Sequence, residues 1–342
     1  MKVKNLFLVM SLLLLMLASC GTKDRYIVIT GFAQGGTYTV KLNLDGNSGR
    51  IRVPPAEIKD SIDAVLGRID RSLSGYNRNS VLSRFNAGES VIPDDIFRDM
   101  YEKSYDIYIK TDGVVDVASA PLFDIWGFGF SNNSFPSDEK VKEVLETSGM
   151  KNLDRDVMKY MDASSVRPVL NFNAVAQGYS CDLVAAYLYS IGVKDMLVDI
   201  GEFFCDGRNP SGKPWTIGID RPVDGNNVSG AVLQGVFRAP EGPHGIVTSG
   251  NYRKFYVRDG KKYAHTIDPR TGYPVSHSLL SATVVAKDAM TADAYATWCM
   301  VVGLEQSKDF LETTPGFEGC LIYDDNGEMR VWCSSGFILE EL

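Results

Sequence analysis

The chain has 342 residues, with 35 basic and 43 acidic side chains and a formal net charge of −8. Apolar residues make up 44% and charged residues 23%, a composition typical of a globular protein that excludes a largely disordered or fibrous chain. The acidic balance argues against a nucleic-acid partner held by a general basic field, and the length allows one large domain or two small ones.

The N-terminus has the pattern of an export signal. Lys2 and Lys4 precede an apolar run at residues 6–18, whose 13 residues are too few for a bilayer-spanning helix of about 20. Cys20 stands where a bacterial lipoprotein signal places the cysteine that is lipidated. We therefore predict a signal peptide over residues 1–19, a linker over residues 20–25 and an exported domain anchored to a bacterial membrane at Cys20. An ordinary cleaved signal is the alternative.

The sequence of the mature chain predicts helices and strands in mixed order. Residues 26–32 and 36–44 read as two strands or a hairpin. Helical spacing of apolar residues, start signals and glycine stops predict five helices. They cover residues 55–73, 94–110, 137–147, 175–191 and 291–302, the last with Thr291 as its cap and Gly303 as its stop.

Short apolar runs between Gly, Pro and Asn clusters predict the remaining strands. They cover residues 195–200, 215–219, 232–238, 245–248, 254–258, 261–266 and 279–286, with a last pair turned at Asp324–Gly327. Strands cluster rather than alternate with helices, which favours an α+β fold of mostly antiparallel sheets packed with helices. No Pro/Ser-rich linker divides residues 26–342, so we predict one domain there.

The cysteines after Cys20 do not indicate a metal site. There is no Cys-x-x-Cys and no histidine at zinc-finger spacing, and the neighbouring residues are apolar. We expect buried structural thiols at these positions, which are Cys181, Cys205, Cys299, Cys320 and Cys333. An oxidising compartment allows one disulfide among them, and the sequence leaves its pairing open.

The first candidate site is a pair of oxygen-bearing side chains. Asp293 and Thr297 are four residues apart in a predicted helix and therefore share one face. A carboxylate and a hydroxyl projecting together are hard oxygen ligands of the kind that Mg²⁺ prefers. Alternatively, Asp293 only complements the positive end of its helix and Thr297 fills space.

The second candidate site follows in residues 263–274. His265 is one of three histidines and has the pKa range of a general base near neutral pH, although a lone histidine on a strand is more often structural. Asp268-Pro269-Arg270-Thr271-Gly272 has the composition of a tight turn, and Arg270 as a phosphate ligand is a secondary hypothesis.

At these segments the sequence resembles the ApbE family, the Mg²⁺-dependent FAD:protein FMN transferases. The resemblance covers nearly the whole mature chain and rests on several motifs in one order. The motifs are Gly36-Thr37-Tyr38, residues 80–86, residues 121–129 with Trp126, residues 173–179, Thr248-Ser249-Gly250, residues 265–274 and Thr291-Ala292-Asp293.

The resemblance implies a mechanism and a set of ligands. Mg²⁺ would be held by Asp293, Thr297 and a backbone carbonyl at Ala174, and His265 would be the general base on a threonine hydroxyl of an acceptor protein. FMN is transferred from FAD to that threonine and AMP is released. The family places an aromatic residue at Tyr76 against the flavin. Further contacts to FAD are implied for Gly36, Trp126, Ala174, Gly178, Thr248, Ser249, Asp268 and Arg270. Alternatively, and equally well, Gly178 only allows the chain to enter the helix and does not contact a phosphate.

Two alternatives to flavin transfer remain open. The same site could hydrolyse FAD to FMN and AMP, with water in place of the threonine, or the chain could be a non-catalytic flavin-binding lipoprotein. Gly35 and Gln177 replace a methionine and a lysine that are frequent in the family. By resemblance, the acceptor is an exported or membrane-bound redox subunit with a threonine flavinylation motif, such as those of sodium-pumping NADH:quinone reductase or Rnf complexes.

Overall fold

The computed structural model describes residues 25–46, 49–129, 135–161, 168–223, 225–226, 228, 230–252, 255–258 and 261–341. The predicted signal peptide and the anchor cysteine Cys20 lie outside these residues, so their assignment stays a prediction. Within the described residues, no helix is both long enough and apolar enough to cross a bilayer.

The described residues form eight α-helices and two short 3-10 turns. The helices are α1 Pro55–Leu73, α2 Val81–Asn86, α3 Asp95–Lys110, α4 Ala120–Ile125, α5 Asp138–Thr147, α6 Ala176–Ser190, α7 Ala289–Val302 and α8 Leu304–Thr313. The 3-10 turns are Met150–Asn152 and Val157–Tyr160. All five predicted helices are confirmed to within two residues at each end.

The same part of the chain forms seventeen strands. They are β1 Tyr26–Ala33, β2 Gly36–Asn43, β3 Asp45–Gly46, β4 Gly49–Arg50, β5 Met196–Asp199, β6 Phe203–Asp206, β7 Thr216–Asp220, β8 Leu233–Arg238, β9 His244–Gly250, β10 Phe255–Arg258, β11 Lys261–Ala264, β12 Ile267–Asp268, β13 Tyr273–Pro274, β14 Leu279–Ala286, β15 Glu318–Asp325, β16 Glu328–Cys333 and β17 Leu339–Glu340. Eight of them form one sheet in the order β1-β2-β5-β6-β9-β14-β15-β16, and every neighbouring pair is antiparallel. The predicted α+β class with antiparallel sheets is confirmed.

The large sheet is covered on both faces, which explains its apolar strands. Met196 and Val198 of β5 pack into the core beneath the helices, whereas Leu197 between them points to the opposite face. There it joins Trp215 and Phe237, which belong to or adjoin the three-stranded sheet β7-β8-β17. The domain therefore has three layers, with helices on one face of the main sheet and a smaller sheet on the other.

Helix α7 begins earlier than its sequence indicates. Thr291 was predicted as its cap, but this is wrong, because Asp288 is the cap and its side chain accepts a hydrogen bond from the Thr291 N–H at 2.7 Å. Gly303 ends α7 at a φ of 84° and directly precedes α8, a ten-residue helix that the sequence reading missed. Only Gly303 separates the two helices, so there is no run of loop residues to mark the start of α8.

Two glycines allow α7 to pack closely on its neighbours. A Cβ atom at Gly178 of α6 would lie 2.2 Å from the Ala289 carbonyl oxygen. A Cβ atom at Gly245 of β9 would lie 2.3 Å from the Ala289 Cα. The first residue of α7 is therefore held between α6 and β9 at distances that no other residue type permits.

Gly178→Ala should lower the free energy of unfolding by about 1–3 kcal/mol, since the added methyl group has only backbone to displace. The measurement is urea unfolding followed by circular dichroism. Gly67→Ala in α1 is the matched control, because its Cβ would meet only the end of the Arg71 side chain at 3.3 Å. The control should be neutral or slightly stabilising. Equal stability of the Gly178 variant and the wild type would contradict the close packing.

His277 joins the start of β14 to the end of α7 through both ring nitrogens. Nε2 lies 2.9 Å from the Met300 carbonyl oxygen, and Nδ1 accepts the Leu279 N–H at 3.3 Å. This pairing requires a neutral ring with its proton on Nε2. Burial lowers the pKa of His277, although the hydrogen bond to Met300 raises it in part.

The stability of the protein should consequently depend on the charge of His277. Because the pKa in the folded state is lower than in the unfolded chain, protonation favours unfolding. This contribution to stability is complete above about pH 6.5 and is lost as the pH falls through the pKa of the folded protein. Melting temperatures of wild type and His277→Gln should therefore converge as the pH falls below about 6. A constant difference across the pH range would show that this histidine does not titrate on unfolding.

Candidate active site

Two aspartates fix the N-terminus of α7. Asp288 accepts the Thr291 N–H, and Asp182 from α6 accepts the Ala289 and Met290 N–H groups at 2.8 and 2.9 Å. The first N–H groups of a helix have no partner within the helix and carry a partial positive charge, so carboxylates stabilise them. Asp182 thus positions the turn that precedes Asp293.

Asp293 of α7 is buried where α7 packs against α6. The residue is 6% exposed, and Oδ2 accepts the Gly178 N–H at 3.0 Å. Burial raises the pKa of Asp293, the Gly178 N–H opposes that effect, and the nearby Asp182 carboxyl raises the pKa further. Burial likewise raises the pKa of Asp182 to about 7. Two neighbouring buried carboxyl groups resist ionisation unless a cation compensates them.

The hydrogen bond from Gly178 to Asp293 also leaves the Ala174 carbonyl oxygen available as a ligand. In a regular helix the N–H of Gly178 donates to the carbonyl four residues earlier, which is that of Ala174. Here this N–H donates to Asp293, and the Ala174 carbonyl accepts no hydrogen bond from any residue that the structure describes. Thr297, half-buried, lies one turn after Asp293 on α7. The carboxylate, hydroxyl and carbonyl oxygens are the hard donors that suit Mg²⁺.

The motif residues Thr248 and Ser249 lie on β9, which packs against α7. The Thr248 N–H donates to Glu202 Oε2 at 3.2 Å, and its hydroxyl oxygen is 2.8 Å from that of Thr283. Glu202 also accepts the Cys181 thiol of α6 at its backbone carbonyl, at 3.1 Å. The loop between β5 and β6 therefore ties the Thr248 strand to α6.

The hairpin of β1 and β2 reaches α6 through its turn. Gln34 and Gly35 form this two-residue turn with φ values of 52° and 80°, as such hairpins require. The Gln34 amide donates to the hydroxyl of Ser180, two residues after Gly178. Gly36 is exposed at the start of β2, directly after the turn. Gln34 and Asp293 thus both contact the first two turns of α6.

A second group of predicted residues forms around the turn after β12. The Trp126 indole N–H donates to the Gly272 carbonyl at 2.8 Å. Half-buried His265 lies edge-on to Phe128, with ring centroids 6.5 Å apart. The neighbouring Thr266 donates to Asn251 at 2.6 Å, immediately after β9. This bond joins the His265 segment to the strand that carries Thr248.

The charge of Arg270 is already paired within its own turn. Its guanidinium donates to both carboxylate oxygens of Asp268 at 3.0 and 2.8 Å, and this pairing raises the pKa of Arg270. A phosphate at Arg270 would have to compete with Asp268 for these donors. Pro269 and Arg270 border a cavity of about 240 Å³, whose wall also contains Asp116 and Lys151. This volume is too small for a whole dinucleotide.

Tyr76 lies in the loop after α1, and 76% of its side-chain surface is exposed. An exposed aromatic ring at this position is accessible to a flat ligand.

The sequence did not indicate Asp182, Glu202 and Asn251, which position the predicted site residues. For Asp182 a signal existed, because it follows Gly178 by four residues and shares its helical face. The other two act through tertiary contacts between distant segments.

Comparison with known proteins shows the family of the chain. The family model described as "ApbE family" matches residues 35–321. FAD:protein FMN transferase of Escherichia coli K12 is 33% identical over 291 residues, covering 82% of this chain and 81% of that protein. The Haemophilus influenzae protein of the same name is 30% identical over 323 residues, covering 92% and 91%.

Solved structures give the same result for the fold. The flavinyl transferase ApbE of Pseudomonas stutzeri, in its apo form, has a TM-score of 0.75 and 31% identity, covering 91% of this chain and 95% of that one. Flavin transferase ApbE from Vibrio cholerae has a TM-score of 0.73 and 28% identity, covering 91% and 98%. The chain therefore belongs to the ApbE family, in which these relatives are named flavin transferases.

Proposed function

We propose that this protein transfers FMN from FAD to a threonine hydroxyl of an acceptor protein, with Mg²⁺ as cofactor and AMP as the leaving group. One observation carries the proposal. Gly178 donates its N–H to Asp293 instead of Ala174, so the carboxylate contacts the first turn of α6 and the Ala174 carbonyl just before that turn accepts no hydrogen bond from the described residues. Thr297 supplies a third oxygen from the same helix as Asp293. Family membership adds FAD as the substrate.

The electrostatics of the two carboxyl groups also support a bound cation. Asp293 and Asp182 are both held in surroundings that disfavour their charge, and a divalent ion at Asp293 would compensate both. When bound to the diphosphate of FAD, Mg²⁺ would neutralise charge on the transferred phosphoryl group and on AMP. The contact between α6 and α7 would hold the ion at Asp293.

His265 is the group that we assign to the proton transfer. It would take the proton of the acceptor threonine as the hydroxyl oxygen attacks the phosphorus of the FMN half, while the bond to the AMP oxygen breaks. The Phe128 ring limits how the imidazole can turn, and the Thr266 to Asn251 bond holds its segment beside β9. The side chain is half-buried, so an acceptor can reach it.

We also propose that the protein works outside the cytoplasm, anchored to the membrane at Cys20. Support comes from the charged and apolar pattern of residues 1–19 and from the position of Cys20. Because β1 starts at Tyr26, the intervening chain spans at most about 20 Å. The domain would thus stay close to the bilayer, where an acceptor subunit of a membrane-bound redox complex is within reach.

The activity is tested by incubating the protein with FAD and Mg²⁺, with and without an acceptor domain that carries the threonine motif. Covalent flavin on the acceptor, with AMP released in equal amount, is the expected result. Free FMN and AMP without labelling would instead identify an FAD hydrolase. Bound FAD that is never cleaved would identify a flavin-binding protein.

Asp293→Asn should reduce Mg²⁺-dependent transfer by at least about 100-fold, because the ligand loses its charge while the acceptor for the Gly178 N–H is kept. The measurement is the initial rate of flavin transfer as the Mg²⁺ concentration is varied. Asp220→Asn is the matched control, since Asp220 is also buried and accepts the Gly230 N–H at the end of β7, in the small sheet on the other face of the main sheet. An Asp293 variant with the wild-type dependence on Mg²⁺ would remove this residue from the metal site.

His265→Ala should lower the transfer rate by about 10²–10⁴-fold, the usual contribution of a general base. FAD affinity, measured by fluorescence quenching, should stay within a few-fold of the wild type. His277→Gln serves as the control histidine and should transfer flavin normally at mildly alkaline pH. If the His265 variant retained full activity, another group would have to take the proton.

A further inference from the structure

Two cysteines of the outer hairpin face each other directly. The register of β15 and β16 runs without interruption from Cys320 opposite Cys333 to Asp325 opposite Glu328. Residues opposed in an antiparallel pair have Cα atoms about 4.5–5.5 Å apart. Disulfides are found at Cα separations of about 4.4–6.8 Å, so this pair satisfies the backbone requirement.

The two side chains also meet on the same face of the sheet. Cys320 is fully buried in the core between the main sheet and the strands β7, β8 and β17, and half-buried Cys333 packs against that core. The two side chains therefore lie on neighbouring strands at one point of this core, as a cross-strand disulfide requires.

The backbone beside this pair is held on both strands. The Ser334 N–H donates to the Gly319 carbonyl at 2.9 Å, and the Gly319 N–H donates to the Ser334 hydroxyl at the same distance. Glu318 accepts the Gly336 N–H at 3.1 Å. The cysteine pair is therefore presented in a fixed geometry rather than in a loose chain end.

The other described cysteines are placed elsewhere and have other partners. Cys181 of α6 donates to the Glu202 carbonyl, and Cys299 of α7 lies in contact with the Ser307 hydroxyl. Cys205 of β6 is paired in register with His244. All three are buried, which also keeps an oxidant from reaching them.

We propose that Cys320 and Cys333 form a disulfide that links β15 to the edge strand β16 when the protein meets an oxidising disulfide. The thiolate of Cys333 attacks one sulfur of the oxidant and releases one thiol. The Cys320 thiol then attacks the Cys333 sulfur and releases the second thiol. Two protein thiols are thus oxidised, one disulfide of the oxidant is reduced to two thiols, and both protons end on those thiols.

The exposure of the two groups fits this order of attack. Cys333 is the more accessible of the pair, and the interaction with the Cys320 thiol lowers its pKa. The interaction with the Cys333 thiol and burial raise the pKa of Cys320, which makes it the second thiol to react. The bond would close a loop of the chain at the open end of the hairpin and so restrict the unfolded state. This proposal does not depend on flavin transfer.

The test is to incubate the purified full chain with oxidised glutathione, block free thiols by alkylation, and map the peptides without reduction. We expect a cross-linked peptide pair that contains Cys320 and Cys333, an intact mass lower by two hydrogen atoms, and reversal by dithiothreitol. The oxidised wild type should melt a few degrees above the reduced form.

Matched variants distinguish a Cys320–Cys333 disulfide from oxidation of other cysteines. Cys333→Ser should remove both the cross-linked pair and the difference in melting temperature, whereas Cys205→Ser should retain both. Full alkylation of Cys333 in the oxidised wild type, or a cross-link to another cysteine, would overturn the pairing. Identical melting temperatures of the oxidised and reduced wild type would overturn its stabilising effect.

Discussion

The hydrogen bond from the Gly178 N–H to the Asp293 carboxylate organises the site. It exists because α6 and α7 approach closely enough that any Cβ at Gly178 would strike the Ala289 carbonyl. The same bond removes the N–H that the Ala174 carbonyl would otherwise receive. One glycine therefore sets helix packing, the position of a carboxylate and the availability of a carbonyl oxygen.

Stability and function oppose each other at this contact. Asp293 is buried and Asp182 is half-buried, and desolvation raises the pKa of each carboxyl group. A domain built only for stability would place apolar residues at such positions. The backbone N–H groups of Ala289, Met290 and Gly178 offset part of the cost, and a bound cation would offset more. The magnesium ion that we propose at Asp293 would be such a cation.

The rest of the fold brings separate segments to this contact. The hairpin turn at Gln34 reaches Ser180, the loop after β5 reaches both α6 and β9, and Asn251 holds the segment of His265. Each link is a single side-chain hydrogen bond between residues far apart in the chain. The large antiparallel sheet makes these links reproducible, because its register fixes where each strand ends.

Local pattern determined the five longer helices that were predicted and most of the strands. The 19-residue helix Pro55–Leu73 and the strand Leu279–Ala286 follow from apolar spacing and lie where it predicted them. The spacing of Asp293 and Thr297 was enough to put both on one helical face, and the ordered motifs identified the family. Tertiary structure alone decided the partner of the Gly178 N–H and the meeting of Cys320 with Cys333. These depend on helix packing and strand register, which bring together residues whose separation along the chain carries no periodic signal.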